Sequence, residues 1–291
     1  MEVSDLVWSE RPSLRRPVLV AAFHGWNDAG DAASAASTFI GESLGAERFA
    51  RLDPEEFYDF QSTRPHIGYT DERTREITWP GIEIFAARVP RAPRDLILVQ
   101  GPEPSMRWRS FCQHIVDLAE ALGTQLVVTM GALLADVPHS HPVSISGLAS
   151  DASLVEKLSV PETTYEGPTG IVGVLHTACC DAGLPSASLW AAVPHYVAAA
   201  PNPKAALALV RKIESLVAVS VDATDLENAT GDYERQVSRA VQSDPEVQAF
   251  VERLEEAAGQ DTSALGPGDL PSGDTIASEF QRFLKQQGPE R

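Results

Sequence analysis

The stretch FHGWNDAGDAASAA, residues 23–36, decides how the chain is read. It follows RPVLVAAF, a short apolar run of the kind a strand buried on both faces requires. The Ala-rich segment after it reads as a helix able to approach a sheet closely. Between the two, Gly25 and Gly30 have the G-x-x-x-x-G spacing of a phosphate-binding loop. Such a loop continues with Lys and then Ser or Thr; here Asp31 and Ala32 take those places. Asp28 and Asp31 stand at the start of the helix, where acids cap free N–H groups and complement the helix dipole. The same charges repel an anion from that end. The stretch is therefore expected to be a strand–turn–helix joint, with Gly25 and Gly30 as turn and close-packing glycines.

The alternation continues. Strands are expected at 17–23, 82–89, 95–100, 125–130 and 187–193, and helices at about 29–44, 104–122, 171–182 and 203–219. Gly45, Gly123 and Gly183 fall where helix C-caps are wanted, and Pro104 and Pro203 where a first helical turn tolerates proline. Repeated β-α alternation predicts an α/β fold, a three-layer α/β/α sandwich. Residues 57–80, rich in aromatics and charge, read as a long loop or small hairpin excursion. After about residue 221 the strand signals stop and acids dominate. Residues 244–259 form an amphipathic helix, with Asp244 as N-cap, Pro245 in the first turn and Val247, Phe250, Val251 and Leu254 on one face. A second is expected at residues 274–287, after a Gly/Pro-rich linker. The expected division is a core at 1–220 and an acidic helical extension at 221–291.

Composition excludes several classes. With 291 residues the chain can bury a sizeable core. The net charge of −18 excludes nucleic acid and an anionic membrane surface as partners, since both need clustered Lys and Arg. The only lysines are Lys157, Lys204, Lys212 and Lys285, so the first half offers none to an ATP phosphate. Cys112, Cys179 and Cys180 lack metal or disulfide spacing and read as core residues. No signal-peptide or membrane-span pattern is present, and a soluble cytoplasmic protein is expected.

Four loops follow the strands at 17–23, 95–100, 125–130 and 187–193. They are HGWNDAG (24–30), GPEPSMRW (101–108), GALLADVPHSHP (131–142) and PHYVAAAPN (194–202). If those strands are parallel, the loops converge on one sheet edge, where open α/β folds place ligands. They would bring together Trp26, Asn27, Asp28, Glu103, Arg107, Asp136, His139 and His195, with Glu166 added from the turn YEGPTG (165–170). These are the candidate crevice or interface residues. Glu103 is expected to cap the helix after it. His139 and His141 have the i, i+2 spacing of a metal pair, but Pro138 and Pro142 flank them, and a loop of solvated histidines is expected. No G-x-S-x-G elbow is present. No catalytic set, metal or cofactor is expected.

The motifs GWNDAGDAAS, GPEPSMRW, GALLADVPHSHP after LVVTM, and YEGPTGIVGVL followed by SLWAAVPHYV, taken in this order, resemble the PAC2 family of proteasome assembly chaperone 2 and its archaeal and actinobacterial relatives. The resemblance covers about 17–216, and the acidic extension is similar to that of the actinobacterial branch. It implies a phosphorylase/hydrolase-like fold, self-association with a trimer as the expected state, and a chaperone role with proteasome α subunits as partners. Archaeal relatives that dock on the proteasome end in a hydrophobic–Tyr–any tail. This chain ends KQQGPER, so docking through such a tail is not expected. An enzyme or small-ligand binder using the strand-end crevice, hydrolase- or nucleoside-phosphorylase-like, is the alternative. It would need Asn27, Asp28, Glu103 and His139 gathered in one pocket.

Overall fold

A strand covered on both faces must feed two cores, and residues 18–23 do so. Val18, Val20 and Ala22 enter one apolar cluster, while Leu19, Ala21 and Phe23 enter another. The computed structural model describes residues 5–70, 73–197 and 201–261. The strands in chain order are β1 (Leu6–Trp8), β2 (Val18–His24), β3 (Glu47–Leu52), β4 (His66–Tyr69), β5 (Arg75–Thr78), β6 (Glu83–Ala87), β7 (Leu96–Pro102), β8 (Leu126–Ala135), β9 (Ile145–Ala149) and β10 (Ser186–Pro194). The helices are α1 (Ala32–Ser43), α2 (Trp108–Ala121), α3 (Ala152–Leu158), α4 (Ile171–Asp181), α5 (Pro203–Val217), α6 (Thr224–Ser243) and α7 (Pro245–Asp261).

Eight strands form one mixed sheet in the order β1-β3-β6-β7-β2-β8-β10-β9. Its centre, β7-β2-β8-β10, is parallel, and β1, β3, β6 and β9 join antiparallel at the flanks. Helices α1 and α5 cover one face, through Ala33, Ala36, Ile40, Ala206, Leu209 and Ile213. Helices α2 and α4 cover the other, through Phe111, Ile115, Leu118, Ile171 and Leu175. The fold is the expected α/β type, with helices on both faces of the sheet. Phe111 is fully buried and meets Phe23 and Phe57 edge-on at 5.8 and 5.7 Å. Each such ring pair adds about 0.5–1.5 kcal/mol beyond the area it buries.

Two helix starts differ from expectation. The joint after β2 makes a short 3-10 turn, Ala29–Asp31, before α1 begins, because Asp31 sits in the left-handed region at φ 51°. Helix α2 starts at Trp108 and not near Pro104. Residues 104–107 are held instead by Phe57, whose carbonyl accepts from the amides of Ser105 (2.8 Å) and Met106 (3.2 Å). Helix α5 begins as expected, with Pro203 in its first turn and Asn202 Oδ1 accepting from the Ala205 amide at 3.0 Å. Helices α1, α2 and α4 end on Gly45, Gly123 and Gly183, all at positive φ. At α1, the Ala46 amide reaches the Gly41 carbonyl at 2.8 Å, the closing bond of a Schellman end.

The excursion at 57–80 contains the hairpin β4–β5, with Ile67 opposite Ile77 and Tyr69 opposite Arg75. Beyond residue 221 the structure adds a helix the sequence reading lacks. Helix α6 buries Tyr233, Val237 and Val241 along one stripe and packs on α5. Helix α7 starts as expected, with Asp244 Oδ1 accepting from the amides of Glu246 (2.9 Å) and Val247 (3.3 Å). The helix expected at 274–287 lies outside the described residues. Among the described residues no helix is long and apolar enough to cross a membrane.

Candidate functional site

Because β7, β2, β8 and β10 run parallel, the four loops that follow them leave the sheet at one edge. The loop after β2 is tied to β8 there, with the Ala132 amide donating to the Asn27 carbonyl at 2.8 Å. Asn27 is 2% exposed, and its Nδ2 donates to Glu103 Oε1 at 2.9 Å. The same carboxylate oxygen accepts from the Ile171 amide at 2.8 Å. Glu103 therefore caps α4, which begins at Ile171, and not the helix that follows it in sequence. Gly170 lets the amide in: a Cβ there would stand 1.9 Å from Asn27 Nδ2. Asn27 Oδ1 is buried and has no hydrogen-bond partner among the described residues.

Asp28, 5% exposed, serves the start of α1. Its Oδ1 accepts from the amides of Ala33 (2.7 Å) and Ser34 (3.3 Å), and its Oδ2 accepts from the Ser34 hydroxyl. Burial pushes the Asp28 carboxyl above its ordinary range, and these hydrogen bonds oppose the rise. Asp31, expected to share the capping, makes no side-chain bond to the helix. Donor atoms of His24, Asp28 and Asp31 lie within 4.8 Å of one another, the one such grouping of three or more metal-ligating side chains among the described residues. Asp28 engages the first turn of α1 with both oxygens, which accounts for its position without a cation. Between the buried Asn27 and the positive-φ Gly25 stands Trp26, 59% exposed.

The remaining candidates do not join this group. His139 is 5% exposed, and not a solvated loop residue as expected. Its Nδ1 lies 2.8 Å from the Tyr196 hydroxyl and its Nε2 lies 3.1 Å from Ser238 Oγ on α6. Lys204 Nζ donates to the His139 carbonyl at 2.6 Å and pairs with Glu234 on α6 at 2.6 Å. Burial lowers the His139 pKa, the Lys204 charge lowers it further, and Glu255 and Glu234 act against both. His195 Nδ1 lies 2.8 Å from Asp136 Oδ1, and its ring meets Phe250 of α7 at 5.4 Å. These histidines bind α6 and α7 to the core. Arg107, exposed at the left-handed residue before α2, pairs with Glu56. Glu166 lies exposed on its turn.

A cleft of about 600 Å³ is lined by residues of β2, β3, β6, β7 and α1 and by residues 76–82. None of the sequence-derived candidates lines it; His24, Ser34, Arg51, Gln100 and Trp79 do. No local sequence signal marks it, because the pairing of β2 with β7 that puts His24 beside Pro102 arises only in the fold.

The sheet order, the two helical layers and the strand-end acids that serve helix N-termini define the class: a mixed-sheet α/β protein. The PAC2 family model matches residues 22–241, and the chain belongs to the PAC2 family. A solved PAC2 family protein from Streptomyces avermitilis is 50% identical, with a TM-score of 0.76 and a match covering 81% of this chain and 99% of that one. A proteasome-assembly chaperone homologue from Mycobacterium tuberculosis is 45% identical, with a TM-score of 0.75, covering 80% of this chain and 99% of that one. An archaeal proteasome activator from Pyrococcus furiosus shares the fold at 20% identity, with a TM-score of 0.64, covering 81% of this chain and 97% of that one. No curated protein matches the chain. The similar proteins place the chain beside actinobacterial members of the family, as the resemblance implied.

Proposed function

We propose that this chain is a non-catalytic, proteasome-assembly-type chaperone that acts in the cytoplasm as a homo-oligomer, a trimer being the expected state. Its partners are other copies of itself and proteasome α subunits. The observation that carries the reading is Trp26. It is 59% exposed on a loop whose neighbours Asn27 and Asp28 are buried and bonded inward. The loop is anchored on both sides of the indole, and tryptophan is among the side chains enriched at binding hot spots. The likeness to the Mycobacterium tuberculosis homologue, at 45% identity, supports the same reading. The pocket of Asn27, Asp28, Glu103 and His139 that an enzyme reading called for is not assembled, since the first three serve as loop and helix anchors while His139 sits against α6, and this supports the non-catalytic reading.

Native mass spectrometry of the chain mixed with its cognate α subunits tests the proposal. A complex containing both chains supports it. Absence of a complex, together with an unchanged rate of α-ring formation, overturns it.

A further inference from the structure

Strands β2 and β7 are neighbours and parallel, yet the helices that follow them leave to opposite faces: α1 to the face of Val20, α2 to the face of Leu19. Diverging connections at adjacent parallel strands open a crevice beyond the strand ends, which is where open α/β sheets bind ligands. The 600 Å³ cleft runs from this end of the sheet along its α1 side, lined by His24 of β2, Gln100 of β7, and Ser34 and Thr38 of α1. Its volume falls within the roughly 300–1,000 Å³ of small-molecule sites.

We infer that this cleft binds a small organic monocarboxylate with a flat apolar body. Two arginines line it. Arg48 forms the ion pair with Glu83, whereas Arg51, opposite Glu83 in the β3–β6 ladder, makes no ion pair among the described residues. An unpaired guanidinium presents the planar donor fork that a carboxylate fits. Trp79 supplies the apolar wall. Its ring packs on Phe60 at 4.9 Å and is 51% exposed where it borders the cleft. Gln100 Nε2 donates to Ser37 Oγ at 2.9 Å, which fixes the amide and leaves its oxygen as an acceptor. Glu76 and Glu83 line the cleft as well and balance its two arginines, so a doubly charged phosphate ester meets more uncompensated repulsion there than a singly charged carboxylate seated on Arg51. The binding is a property of the isolated chain and stands or falls separately from any proteasome partner.

The test follows the indole N–H signal of Trp79 by NMR, assigned with W79F, on the full chain. The probes are indole-3-carboxylate, benzoate, the neutral benzamide and the doubly charged phenyl phosphate. The expected result is a saturable shift with the two carboxylates, binding at least tenfold weaker for benzamide and phenyl phosphate, and at least tenfold weaker carboxylate binding in R51Q. R91Q, an exposed arginine that does not line the cleft, is expected to bind carboxylates as the parent chain does. No saturable shift, equal binding of benzamide or phenyl phosphate, or an undiminished affinity in R51Q overturns the inference. The comparison of probes on the parent chain decides the matter even where R51Q fails to fold.

Discussion

One oxygen of Glu103 joins two distant parts of the chain: it accepts from Asn27 Nδ2 at 2.9 Å and from the Ile171 amide at 2.8 Å. The carboxylate thereby holds the loop after β2 and the first turn of α4 in one piece. E103A leaves a buried amide and a helix N–H without their acceptor. Such losses cost about 1–3 kcal/mol. The expected outcome is a melting temperature several degrees lower, measured by differential scanning calorimetry, with E103Q falling between the variant and the parent.

Gly170 is the second half of that joint. G170A would set a methyl group 1.9 Å from Asn27 Nδ2, a collision that only movement of Asn27 or of the α4 start can relieve. Overpacking of this kind costs roughly 1–3 kcal/mol. A G170A/N27A pair is expected to recover part of the loss, because the smaller side chain removes the clash; equilibrium denaturation of the single and double variants measures the coupling.

Which parts of this the sequence discloses follows from burial. Strands β2, β7, β8 and β10 are covered on both faces, so they read as continuous apolar runs, and the helices between them carry a visible apolar stripe. Strand β3, ERFARL, is missed because its flanking position leaves Glu47, Arg48 and Arg51 in solvent. Helix α6 is missed because only Tyr233, Val237 and Val241 mark its buried stripe in an otherwise polar run. The i, i+4, i+8 spacing of those three was the available signal. Among site residues, the capping role of Asp28 was legible because its partners are near in sequence. The partners of Glu103 and His139 are not: Ile171 and Ser238 lie 68 and 99 residues away.

His139, bonded to Tyr196 and to Ser238 of α6, is expected to make the packing of α6 sensitive to acid. Its pKa is held down by burial and by Lys204, against Glu255 and Glu234, so it folds neutral, while the unfolded chain titrates near 6.5. A group whose pKa falls on folding contributes stability that is full above the unfolded value and is lost as the pH drops toward the folded one. Hydrogen exchange in α6 is therefore expected to accelerate, relative to the β2 amides, between pH 7.5 and 5.5. In H139Q that differential is expected to vanish.

Trp26 separates binding from stability. Its exposure means that W26A leaves folding stability within about 0.5 kcal/mol of the parent. As an interface anchor its truncation is expected to weaken partner binding tenfold or more, about 1.4 kcal/mol, read by titration calorimetry against α subunits.

The most direct test of the chaperone reading is native mass spectrometry of α-subunit assembly with the parent chain and with W26A. The expected result is a complex of the parent chain with α subunits and faster α-ring formation, both diminished by W26A at unchanged melting temperature. Free subunits alone, with ring formation at the same rate in the presence and absence of the chain, would contradict it.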